Sequence, residues 1–391
     1  MQFFYFNLYN FTKSINQNKK SNSMKILHIS GAKGWGGNEQ QMMYILPELA
    51  KNEVENLVFG IEDSVLESQC AKKSISFIGV KDRKLNKLRN FSLLKNVIHD
   101  FRPDIIHLHT SDSLTFYVIA KILFGIKPKT VFSKKGMGTS SSFLSNLKYN
   151  FKGLSSIICV SNSVKRDLGK ILNEKAKSKT VVVHDCVSLE ILNLKSVLDL
   201  KETYKIDSGL KVVGNIANHS NAKDLPTFIN VVDEVVNNLN RKDIKFIQIG
   251  EFTKNTPELK QLVKDKGLED AIIFTDKIEN ASSLVPQFDA FLMTSQREGG
   301  PTSVLEAMLL GTPVVSTQVG VVPDVIQDGK NGFIAPVKDF KQLAAKVLTL
   351  LDNESLKSEF VVKSKAIIQN DFNAENIAKQ TKEEYLRVMK L

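Results

Sequence analysis

Short apolar runs recur along this chain, each followed by a polar turn and a helical stretch, and the series begins twice. The first run is Ile26–Ser30, and the pattern restarts at Lys211–Ala217. Strands this short and this uniformly apolar are covered on both faces, the habit of a parallel sheet wrapped by crossover helices. The first series continues through Leu57–Gly60, Ile75–Val80, Asp104–His109, Thr130–Ser133, Ser156–Ser161 and Thr180–His184. The second continues through Ile244–Ile249, Ile272–Phe274, Ala290–Thr294, Pro313–Ser316 and Phe333–Ala335. Helices are expected over 39–51, 93–101, 225–238, 256–266, 303–310 and 340–352, with 354–391 helical and exposed in pattern. The reading is α/β: two doubly wound domains, 24–195 and 196–372, and a C-terminal helix, 373–391, that packs back on the first domain. Residues 1–23 are rich in Asn, Phe and Tyr without a sustained period and form a poor secretion signal. They read as an N-terminal extension, disordered or untranslated, with Met24 opening the ordered domain.

Composition narrows the function. No apolar run approaches the roughly 18 residues that span a bilayer. The best candidate, Phe116–Ile126, is short and carries Lys121. The three cysteines, Cys70, Cys159 and Cys186, have no zinc spacing and suit a reduced, cytoplasmic compartment. The net charge is +11, but residues 201–391 hold 24 basic and 26 acidic groups, so the excess belongs to the first half. A basic half suits an anionic substrate or an anionic membrane surface. Aromatic–basic interleaving and finger spacings are absent, so no nucleic acid is expected.

In parallel sheets ligands sit beyond the carboxyl ends of the strands. Gly34–Gly37, His109, Lys134 and Lys135, Asn218–Lys223 and Glu298 all follow strands, which points to one cleft between the domains. The densest stretch is Ser295–Thr317. There Glu298 and Glu306 flank a Gly299-Gly300-Pro301 turn leading from strand to helix. Backbone N–H groups at such a helix start bind anions, and carboxylates beside them accept bonds from hydroxyls. Together they describe a sugar-nucleotide site.

These residues resemble the retaining glycosyltransferases of family 4, with the two-domain GT-B fold. The resemblance covers nearly all of Met24–Leu391. It is strongest where Glu298 and Glu306 are followed by Ala-Met-x-x-Gly-x-Pro-Val-Val, and it continues through Gly320–Phe333. Gly36-Gly37-x-Glu39 and Ile105–His109 look like family elements too. The resemblance implies a hexosyltransferase using a nucleotide-diphosphate sugar as donor, with no further cofactor and no metal. The acceptor would be a glycan or lipid-linked sugar in cell-surface polysaccharide synthesis, at the inner face of the membrane. Glu306 would hold the ribose hydroxyls and Glu298 the donor sugar. The backbone of Gly299, Gly300, Pro301, Thr302 and Ser303 would hold sugar and diphosphate. Lys223 would neutralise the leaving diphosphate, His109 would sit at the reacting carbon, and Gly36 and Gly37 would let the first loop approach the phosphates. A nucleotide-sugar epimerase or hydrolase, or a catalytically degenerate scaffold, would use the same architecture.

Two departures stand out. Ser220 occupies the place of a usual arginine before Lys223, leaving Lys33 or His219 as candidate substitutes. Asp276 replaces a frequent glycine in a loop near the base. Several residues are expected to be structural. His107 is expected to face away from His109, Lys134 and Lys135 to be a solvated pair, Asn162 to start a helix, and His184-Asp185 to have no role. Trp35 is expected to shape the acceptor site.

Overall fold

A computed structural model describes residues 23–138 and 142–391. The extension expected over 1–23 lies outside the described residues except for Ser23. Among the described residues, thirteen strands form two all-parallel sheets. The first holds β1 (Met24–Ile29), β2 (Val54–Ile61), β3 (Ser76–Val80), β4 (Ile105–Leu108), β5 (Lys129–Lys134), β6 (Ser156–Cys159) and β7 (Thr180–Val182). The second holds β8 (Lys211–Ile216), β9 (Ile244–Ile249), β10 (Ile272–Thr275), β11 (Ala290–Met293), β12 (Val314–Thr317) and β13 (Phe333–Ala335). The strand orders are β3-β2-β1-β4-β5-β6-β7 and β10-β9-β8-β11-β12-β13. Each sheet therefore winds outward in both directions from one switch point, between β1 and β4 and between β8 and β11. This is the doubly wound, GT-B arrangement, and a crevice opens at each switch point.

Alternation along the central strands explains the layers. Leu27 and Ile29 face one core cluster with Phe91, Leu114 and Tyr117, while Ile26 faces the other with Met42 and Leu46. The second sheet divides its apolar residues between two clusters in the same way.

The C-terminal region differs from one exposed helix. It breaks at Phe372-Asn373 into helices Glu354–Asp371 and Ala374–Met389, and Asn373 caps the second through its side chain. The last helix is buried along one side. Ile377, Ala378, Tyr385 and Val388 enter the cluster of Ile26, Met42 and Leu46 in the first domain. Burying each large side chain contributes about 1.5–3 kcal/mol, enough to hold a helix that has left its own domain. The chain thus crosses between domains twice, and the crossings touch: Val187 N–H donates to the Phe372 carbonyl at 2.9 Å.

Candidate active site

The chemistry gathers at the second sheet's switch point. β8 runs into the turn 217–224 and β11 into 294–301, and backbone and side chains sew the two segments together. The amide of Gln296 donates to the Ala222 carbonyl at 2.9 Å, and its side-chain amide donates to the Asn221 carbonyl at 2.6 Å. Thr294 donates to the carbonyl of Asp224 at 3.2 Å. Asp224 takes a left-handed conformation (φ 48°) to start helix Leu225–Asp233. The result sets Lys223 Nζ 2.6 Å from Glu298 Oε1. The pair keeps 24% and 13% of its side-chain surface, so an incoming phosphate can compete for the lysine.

Helix Thr302–Leu310 begins directly after this turn. Pro301 stands at its N-cap and supplies no side-chain acceptor, which leaves the first amides to a ligand. One turn along, Glu306 is buried and accepts a 2.7 Å hydrogen bond from Ser282 Oγ. Burial raises the Glu306 carboxyl above its ordinary pKa, and the Ser282 bond opposes this. Tyr44, in helix Gly37–Lys51 of the first domain, feels the charge of Glu306, and burial pushes its hydroxyl up to about 12. These groups line a cavity of about 1010 Å³ between the domains. Trp35, Gly37, Tyr44, Lys73 and Asp185 come from the first domain. Asn218, Lys223, Lys277, Ser282, Glu298, Gly300, Pro301, Thr302, Ser303 and Glu306 come from the second. Gly36 is the extended N-cap of helix Gly37–Lys51, again without a side-chain cap. A Cβ on Gly37 would meet nothing, so its side of the cleft is open.

The glycine turn has a second reason to exist. A Cβ on Gly299 would lie 1.7 Å from the Lys135 carbonyl oxygen, and one on Gly300 would lie 2.7 Å from Asp185 Oδ2. The two domains meet here backbone to backbone. Lys135 is not a solvated lysine but an ion-pair partner of Asp185, both largely buried. Lys134 is also shielded, and burial lowers its pKa. Asp185 therefore holds a place at the cleft wall that the sequence reading did not give it. Asn162 does start a helix, Asn162–Gly169, but it also reaches across. Its amide and side chain donate to the two Asp324 oxygens at 2.8 and 3.1 Å. A lone Asp in a Val-Pro-Asp-Val turn carries no signal for that role.

His109 lies at the switch point of the first sheet, after β4. It is 8% exposed and does not line the large cavity; it borders a small inner one with His28 and His107. His107 does not face away. Two residues apart on a strand means the same face, and the rings of His107 and His109 are 4.1 Å apart. The ring nitrogens of the three histidines lie within 4.8 Å of one another, a grouping able to hold a metal ion. Hydrogen bonds already engage them. His107 meets Tyr385 OH at 2.6 Å and Ser133 Oγ at 2.8 Å. Asn56 donates its amide hydrogens to the Leu46 and Val54 carbonyls, so its oxygen must accept from His28 Nε2 at 3.0 Å. Neutral His28 then accepts at Nδ1 from His109 Nε2, 3.0 Å away, which leaves the His109 lone pair on Nδ1. Burial lowers all three pKa values, His28 to about 4, so the imidazoles are neutral.

Neither candidate for the missing arginine faces the cleft. His219 is buried against Thr256 and Gln248, and Lys33 is exposed and does not line the cavity. Lys73 and Lys277 do line it. Asp276 accepts from the amides of Phe252 (3.0 Å) and Lys277 (2.7 Å), which lowers its pKa and ties two loops beside the cavity.

Comparison with known proteins agrees with this geometry. Residues 35–191 match the family model described as Glycosyltransferase Family 4, and 209–353 match that described as Glycosyl transferases group 1. N-acetyl-alpha-D-glucosaminyl L-malate synthase of Bacillus anthracis is 25% identical over 294 residues, 73% of this chain and 75% of that protein. Poly(ribitol-phosphate) alpha-N-acetylglucosaminyltransferase of Staphylococcus aureus is 27% identical over 217 residues, 53% of this chain and 43% of that one. Among solved structures, Anabaena HepE in complex with UDP and glucose superposes with a TM-score of 0.78 at 19% identity, covering 93% of this chain and all of that one. A glycosyltransferase from Rickettsia africae superposes at 0.80 with 18% identity, covering 94% and 99%. The two family models meet the two Rossmann-like halves in turn, and the chain belongs to the glycosyltransferases of family 4, with the GT-B fold.

Proposed function

We propose that this glycosyltransferase moves a hexose, with retention of anomeric configuration, from a nucleotide-diphosphate sugar to a glycan or lipid-linked acceptor at a membrane surface. The observation that carries the reading is the Lys223–Glu298 pair beside the uncapped start of helix Thr302–Leu310, with Glu306 one turn below. The acceptor hydroxyl attacks the anomeric carbon, the bond to the diphosphate breaks, and its electron pair stays on the phosphate oxygen, which takes the acceptor's proton. Lys223 and the amides of Thr302 and Ser303 stabilise the charge that grows there, so the protein supplies the positive field without a metal. Glu298 turns to the sugar hydroxyls, and Glu306, paired with Ser282, takes those of the ribose. His109, neutral, offers Nδ1 as a hydrogen-bond acceptor to the reacting sugars. Gly36 and Gly37 leave room for the donor phosphates, and Lys73 and Lys277 supply positive charge in place of the arginine replaced by Ser220. The relatives and neighbours support UDP-glucose and UDP-N-acetylglucosamine as the first donors to test.

A panel of UDP-, GDP- and ADP-sugars tested by thermal stabilisation should single out one donor, because bound ligand raises stability by mass action. Glu306→Ala should abolish that shift. If no nucleotide sugar stabilises the native chain, the donor assignment fails. Donor turnover without acceptor would make the enzyme a hydrolase or epimerase instead, and donor binding without any product would mark a degenerate scaffold.

A further inference from the structure

Helices Leu88–Phe101, Ser111–Phe124 and Phe143–Tyr149 cover one face of the first sheet, and their inner sides join a single core cluster. Their outer sides carry large apolar groups. Leu88 is 88% exposed, Ile122 70%, Leu123 60%, Phe143 79%, Leu144 73% and Leu147 60%. Ile119, Ile122 and Leu123 form one helical stripe, and Phe143, Leu144 and Leu147 another. Single exposed leucines are ordinary, whereas stripes on neighbouring helices mark a surface meant to be covered.

Charge says what covers it. Between Lys81 and Gly169 the sequence holds sixteen lysines and arginines, five aspartates and no glutamate, an excess equal to the formal net charge of the whole chain, +11. All five aspartates are engaged: Asp82 with Arg89, Asp100 with His99, Asp104 with the Lys25 amide, Asp112 with the Ser113 amide, and Asp167 with Lys170 and the Gly138 amide. Lys127 and Lys152 are exposed, and Lys95 stands 5.4 Å from the ring centre of Phe124 at the end of the first stripe.

We infer that this face docks on an anionic lipid bilayer. Ile122, Leu123, Phe143 and Leu144 enter the boundary between headgroups and acyl chains, and the lysines meet the lipid phosphates. A second copy of the chain is a poor occupant, because a two-fold contact would press this basic face against itself. The inference deepens the membrane-surface part of the proposed function and rests on that reading only for the location of the acceptor. Helix Ser111–Phe124 starts two residues after His109 and is about 20 Å long, so a bilayer seated on it lies close to the cleft.

The test is co-sedimentation of the full chain with phosphatidylcholine vesicles and with vesicles also containing phosphatidylglycerol, at low and high salt. Binding should be at least tenfold stronger to the anionic vesicles and should fall as salt rises. Ile122→Ser with Leu123→Ser, and Phe143→Ser with Leu144→Ser, should each weaken it at least tenfold. Lys127→Glu with Lys152→Glu should weaken it at low salt. Stabilisation by the sugar nucleotide should stay unchanged in all of them, which separates loss of docking from loss of fold. Equal binding to both vesicle types, or serine variants that bind like the native chain, would overturn the inference. So would a native dimer in light scattering that the serine variants dissociate. Vesicle binding without any donor stabilisation would instead fault the donor assignment and leave the docking face standing.

Discussion

Glu306 pays for its position with a buried carboxylate, and that cost is measurable. Burial raises its pKa in the folded chain, so the folded state binds a proton more readily than the unfolded one. The penalty is present in full above the raised value and is relieved as pH falls toward the ordinary carboxylate range. Glu306→Gln should therefore raise the melting temperature of the ligand-free protein at neutral pH, flatten its dependence on pH in the acidic window, and abolish stabilisation by the donor. A calorimetric scan series with and without donor reads all three; a variant that melts lower at neutral pH would contradict the assignment of cause. Lys223 is tested by rate. If Lys223 serves the leaving group as proposed, Lys223→Ala should lower kcat by about 100-fold, with a smaller change in donor affinity. The grouping of Glu298, Glu306 and the glycine turn was visible in the sequence because they sit at fixed spacing around one strand–helix junction. Asp185 and Asp324 were not: Lys135 meets Asp185 from a distant segment of the first domain, and Asn162 meets Asp324 only through domain packing.

At the scale of elements, the strand ends decide what is held. The turn at Gly299 fits only because no side chain separates it from the Lys135 carbonyl. Gly299→Ala should push the turn away from the first domain and cut kcat by tenfold or more while the isolated fold of each sheet survives, which circular dichroism would confirm. In the chain Asn56–His28–His109, Asn56 fixes one tautomer and passes it on, and under the proposed function this would position His109. Asn56→Leu should lower kcat about tenfold with donor stabilisation retained, and Asn56→Asp should restore part of it. An unchanged kcat in the leucine variant would remove Asn56 from the mechanism. All thirteen strands were legible as apolar runs between turn residues, since a covered parallel strand writes itself as a short continuous block. The helices over 111–124 and 143–149 were less so. Their exposed leucines and isoleucines blur the usual apolar period, and that same blurring belongs to the face assigned to the bilayer.

For the whole molecule, the question is how two domains close on a donor. The two are in contact through Gly299 against the Lys135 carbonyl, Gly300 against Asp185, and Asn162–Asp324. Asp324→Ala removes the acceptor of two cross-domain hydrogen bonds and should shift the ligand-free protein toward an open form, seen as a larger radius of gyration in solution scattering that saturating donor reverses. An unchanged radius would mean that this contact does not set the opening. The last helix complicates any picture of two free halves. A C-terminal helix over 373–391 packing back on the first domain is the expectation from sequence, and its apolar stripe lies in the cluster of Ile26, Met42 and Leu46. Its path has a mechanical consequence. The outgoing and returning segments are bonded side by side at Val187 and Phe372, so they act as one axle. Relative motion of the two halves should then concentrate in a swing about this line, which one interdomain distance, followed in time, would report.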